Sequence, residues 1–92
     1  MSQIPKLLSS ELLKSLSTSG LYSALQSVLI VNLFEKKNYL QILYTYKLKT
    51  IDYIISFLEH GNYFEQCAEI RDMLYRYNKA TGEALKLKAT PN

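Results

Sequence analysis

Cysteine and histidine are nearly missing from this 92-residue chain: Cys67 and His60 are the only ones. A lone thiol cannot close an internal disulfide, and one thiol with one imidazole cannot complete a Cys/His zinc site. Most familiar enzyme chemistries go with them. Three glycines and two prolines exclude collagen-like or linker-like sequence. Tryptophan is absent. A long membrane-spanning apolar run is missing too. Ser15 to Phe34 is free of charge, but Gly20 and polar residues such as Ser17, Ser19, Ser23, Gln26 and Asn32 interrupt it. The segment Met1 to Leu8 is not the apolar stretch of a secretory leader, and Glu11 and Lys14 follow at once. The expectation is a cytoplasmic protein with a reduced thiol, no membrane association and no cofactor.

What is present suffices for a fold. Apolar residues make up 48% and charged residues 21%, so the chain can build a core. Residues 1–92 read as a single domain. The net charge is +3, mildly basic and short of a dedicated nucleic-acid binder. Such a small chain has marginal stability unless a partner or a second copy covers more apolar surface.

The pattern along the chain predicts a compact all-α bundle of about four helices. Ser9 or Ser10 can cap a first helix running to about Ser17, and Ser17 to Gly20 breaks it. A second helix is expected from Leu21 to about Phe34. Leu21, Ala24, Leu25, Val28 and Leu29 share one face, and the apolar run Val28 to Val31 implies burial on most sides or a strand. A third segment, Tyr39 to His60, is ambiguous in its first half. Leu40, Ile42, Tyr44, Tyr46 and Leu48 alternate as in a strand, yet Leu40, Leu43, Tyr44 and Leu48 also line a helical face. That face continues through Ile51, Ile54, Ile55 and Leu58. One long helix, broken near Thr50, is the preferred reading; the alternative is an α+β fold with a β-hairpin over residues 28–46.

His60-Gly61-Asn62 is the clearest punctuation. Gly61 suits the left-handed position that closes a helix, and Asn62 can cap the next, with Glu65 completing a capping box. So short a link predicts an antiparallel helical hairpin over residues 50–78. In its second arm, Tyr63 to about Asn78, the stripe Tyr63, Cys67, Ile70, Leu74 and Tyr77 is widened by Phe64 and Ala68. Asp72 and Arg76 are spaced for a surface ion pair. Residues 83–92 read as a loose tail.

The stretch Asn62 to Leu74 resembles the UVR motif of the nucleotide-excision-repair B and C proteins. Phe64, Glu65, Ala68, Arg71 and Asp72 match that motif by identity, with Cys67 and Ile70 as conservative replacements. Ile51 to His60 fits its first arm. The resemblance covers residues 51–78 and implies a helical hairpin used as a protein–protein contact, without implying repair activity. Gly61, Tyr75 and Tyr77 depart from the motif. As a whole, the small and motif-poor chain is similar to phage-encoded inhibitors of host machinery, anti-CRISPR proteins included. That likeness, one of size and plainness, implies occlusion of a host protein such as a nuclease or ribonucleoprotein.

The residues themselves point the same way. His60 reads as a polar helix-end residue and Cys67 as a small buried hydrophobe in an alanine position. Glu59, Glu65, Glu69 and Asp72 form an acidic cluster that can dock on a basic surface. Eight tyrosines stand against three phenylalanines, and a small core cannot hide eight phenols. Tyrosine favours recognition surfaces or self-association, so a homodimer is a natural possibility. The expected protein-binding residues are Tyr44, Tyr46, Tyr75, Glu65, Glu69 and Asp72, in a non-enzymatic interaction or inhibitor protein. The alternative is a nucleic-acid-associated accessory using Lys36, Lys37, Lys47 and Lys49, interleaved with tyrosines.

Overall fold

The computed structural model describes residues 4–81, and the tail expected at 83–92 lies outside the described residues. Four helices follow one another: α1 (Lys6–Thr18), α2 (Ala24–Glu35), α3 (Tyr39–His60) and α4 (Phe64–Thr81). Each packs chiefly on the next in chain order, α1 on α2, α2 on α3 and α3 on α4. The core is aliphatic. Leu8, Leu12 and Leu16 from α1, Ile30 and Phe34 from α2, and Ile42, Ile51, Ile54, Ile55 and Leu58 from α3 are fully buried with Ile70 of α4.

The β-hairpin alternative is overturned. Val28–Phe34 lies within α2 and Leu40–Tyr46 within α3, and no strand occurs among the described residues. The period-2 alternation was carried by residues that a helix also uses: Tyr39, Ile42 and Leu43 turn inward, while Leu40 and Tyr44 turn out. The break in α3 falls at Lys47 rather than Thr50, with φ 74 and ψ 174. Thr50 is buried, its hydroxyl donating to the Tyr46 carbonyl at 3.1 Å and accepting from Tyr22 OH at 2.7 Å.

Several starts differ from expectation. α1 begins at Lys6 after Pro5, whose extended backbone takes the N-cap position, and Ser9 is buried inside the helix instead of capping it. α2 begins at Ala24. There Ser23 accepts from the Gln26 N–H at 3.1 Å while the Gln26 side chain accepts from the Ser23 N–H at 3.0 Å, a complete capping box. Gly20 (φ 80) and the Ser19 hydroxyl, which accepts from the Leu21 N–H at 3.0 Å, hold residues 19–23 out of the helix.

The hairpin turn is present, with its roles exchanged. Gly61 has φ −90, and Asn62 takes the left-handed conformation at φ 63. The Tyr63 N–H donates to the Leu58 carbonyl at 2.8 Å and the Asn62 N–H to that of Glu59 at 3.1 Å. This is a Schellman closure with Asn62 in the usual glycine place, and α4 starts at Phe64. Glycine at position 61 has another use: a Cβ there would stand 2.8 Å from the Tyr63 ring, which would have to shift. α2 ends the same way, with Lys37 (φ 57) left-handed and the Asn38 N–H donating to the Leu33 carbonyl at 2.9 Å.

Candidate functional site

The first half of α3 and the second half of α4 leave an open groove of about 470 Å³. Leu40 and Tyr44 form one wall, Met73, Tyr77 and Ala80 the other, with Glu69, Asp72 and Arg76 at the edges. The Tyr44 and Tyr77 rings meet edge to face across it, centroids 6.1 Å apart. That geometry favours aromatic pairs beyond simple burial. Tyr44 is still 55% exposed, so most of its ring surface remains available.

One end of the groove is fixed by Glu69. Its carboxylate accepts from Lys37 Nζ at 3.0 Å and from Tyr39 OH at 3.1 Å, tying the α2–α3 turn to α4. Burial first, then the Glu69 hydrogen bond and its negative charge, hold the Tyr39 phenol well above a tyrosine's ordinary pKa. Asp72 and Arg76 make the expected ion pair at 3.1 Å on the groove edge. Deeper in the hairpin, Arg71 pairs with Glu59 between the arms.

The structure thus brings together three of the six expected protein-binding residues: Tyr44, Glu69 and Asp72. The others stand apart. Tyr46 is half-buried against the core. Tyr75 is 61% exposed but does not line the groove, and the Lys79 ammonium lies 5.5 Å from its ring centre. Glu65 is exposed in the first turn of α4. Of the lysines, Lys36 caps α2, Lys37 holds Glu69, Lys49 is exposed, and Lys47 Nζ donates to the Tyr44 carbonyl at 3.2 Å. The pairs 36/37 and 47/49 are separated by the first eight steps of α3, about 12 Å at the standard rise. The tyrosine surplus is partly internal. Besides Tyr39, Tyr22 bonds Thr50 and Tyr53 bonds Ser15, whereas Tyr63 donates to Glu11 at the surface, at 3.3 Å.

The two suspected chemical groups have structural placements. Cys67 is buried, and burial pushes its thiol up. His60 Nδ1 is 2.8 Å from the Ser56 carbonyl, a local helix-end bond made by the tautomer with a proton on that nitrogen. No group of three metal-ligating side chains occurs among the described residues. No described helix is long and apolar enough to cross a membrane.

A second feature escaped the sequence reading. α2 buries Ser27, Ile30, Val31 and Phe34, so Leu25 (68%), Val28 (43%) and Leu29 (43%) face outward, with Leu21 (54%) just before the helix. The face expected to lie inside is the exposed one. Phe64 and Ala68, expected to widen the α4 stripe, are likewise exposed, and Gln66 takes the buried place beside Cys67. The available signal for α2 was its lack of a polar face: with Gln26, Ser27, Asn32 and Glu35 scattered round it, the helix carries apolar residues on every side, more than two neighbouring helices can cover. Comparison with family models, with curated proteins and with solved structures finds no match for this chain.

Proposed function

We propose that this is a non-enzymatic binding protein that grips an apolar segment of another protein in the groove between α3 and α4. The observation that carries the reading is the Tyr44–Tyr77 pair, half-open to solvent between apolar walls that include Leu40 and Met73. Exposed aromatic anchors in a concave apolar setting, rimmed by charge, are the usual make-up of a protein-binding hot spot. Glu69 and its two donors hold the α3 wall against α4, so the site is organised before a partner arrives. Binding by occlusion needs no reacting group, in the manner of small inhibitor proteins.

Photo-crosslinking in native-host extract tests this. A benzoylphenylalanine at position 44 is expected to capture a protein, with a yield that changes little between about 50 and about 200 mM salt. The same probe at position 49 reports the nucleic-acid alternative, whose binding would fall by orders of magnitude over that range. Tyr77→Ala is expected to weaken the position-44 partner about 30-fold, corresponding to about 2 kcal/mol. Salt-sensitive nucleic-acid adducts at position 49, with no protein adduct at position 44, would overturn the reading.

A further inference from the structure

We propose that the protein forms a two-fold symmetric dimer in which α2 of a second copy packs against the exposed stripe of α2. Leu25, Val28, Leu29 and Asn32 stand at i, i+3, i+4 and i+7, the spacing of a narrow helix–helix seam, and all four are exposed. Leu21 extends the stripe beyond the helix start. A shallow hollow of about 180 Å³ flanks it, lined by Leu13, Val28, Val31 and Asn32 with Ser9 and Ser10 of α1 and with Glu35 at one end, and can receive side chains from the second copy.

The charge distribution selects the occupant. In a symmetric contact each surface meets itself, so a charged face confronts its own sign. The outer faces of the other helices carry such charges: Lys6, Glu11 and Lys14 on α1, Lys47 and Lys49 on α3, Glu65, Asp72 and Arg76 on α4. From Ser15 to Phe34 there is none, so the stripe from Leu21 to Asn32 can face its own copy without opposing a charge; Glu35, the one charged residue of α2, lies past its far end, opposite the uncharged Leu21–Tyr22 end of the second copy and away from that copy's Glu35. A charged partner would find no complementary charge along the stripe from Leu21 to Asn32. A symmetry axis passing between Val28 and Leu29 sets Leu25 of each copy against the Asn32 end of the other.

The contact is one helix wide, and α2 is about 18 Å long. It is therefore a small interface, and association that is weak and visible only at high concentration is expected. The proposed dimer seam shares no lining residue with the α3–α4 groove, so either reading can fail alone.

Sedimentation equilibrium on the full chain from about 1 to about 500 μM tests the proposal. The average mass is expected to rise from 10.6 kDa towards twice that value. Val28→Glu and Val28→Lys should each weaken association at least about tenfold, and their equimolar mixture should restore it, because only copies facing each other near position 28 gain an ion pair. Leu25→Glu, at a more exposed position, serves as a second disrupting variant if the Val28 changes perturb the fold, which circular dichroism reads. A monomer mass throughout, or a dimer indifferent to all three substitutions, overturns the proposal. So does a dimer dissolved by Tyr44→Ala instead.

Discussion

Glu69 receives two donors from the same turn, the Lys37 ammonium and the Tyr39 phenol, and this makes the Tyr39 proton a reporter of folding. The phenol holds its proton more tightly in the folded chain than in the unfolded one. Stability from this source is fully present below about pH 10, where an unfolded tyrosine ionises, and is lost as pH rises beyond it. Tyr39→Phe is therefore expected to flatten the alkaline limb of a plot of urea midpoint against pH. At neutral pH it should cost about 1 kcal/mol for the lost hydrogen bond. Cys67, buried and with its thiol pushed up, should react with a thiol reagent far more slowly in the native protein than in urea. Ile54 is fully buried, and Ile54→Ala should lower stability by about 2–5 kcal/mol in urea titration.

At the scale of single elements, a few dihedrals at the α3 break and at the helix ends shift stability. Lys47 sits in α3 at φ 74, ψ 174, a region almost reserved for glycine and costing about 1–3 kcal/mol elsewhere. Lys47→Gly is expected to raise the urea midpoint, a gain of about 1 kcal/mol after glycine's own entropic cost. Asn62→Gly should stabilise in the same sense, whereas Gly61→Ala should destabilise because the added Cβ meets the Tyr63 ring. Those two neighbouring substitutions with opposite signs separate the observed turn from one with Gly61 left-handed. Helix number, the bounds of α3 and the position of the hairpin were legible in the sequence, because i, i+3, i+4 periodicity in Ile51–Leu58 and the polar turn at 60–62 are local signals. The left-handed residue was not: glycine and asparagine both tolerate that conformation, and the register of the closing bonds, with the Tyr63 N–H on the Leu58 carbonyl, places it at Asn62.

At the largest scale, the four helices of the described residues share one largely aliphatic core, and not every apolar stripe can reach it. That is why the exposed face of α2 was not legible: periodicity shows which residues share a side, while the packing of α1 and α3 decides which side turns inward. The groove was half legible. Tyr44, Glu69 and Asp72 stood out as an unusual tyrosine and acids on a helix, but Leu40, Met73 and Tyr77 became part of the site through the hairpin's closure. Packing in chain order has a further consequence. Each helix finds its neighbour in the segment just made or just about to be made, so little loop entropy is spent on waiting for distant partners. As the polypeptide leaves the ribosome, helix pairs can settle one after another, and dilution from denaturant should recover the native state within milliseconds.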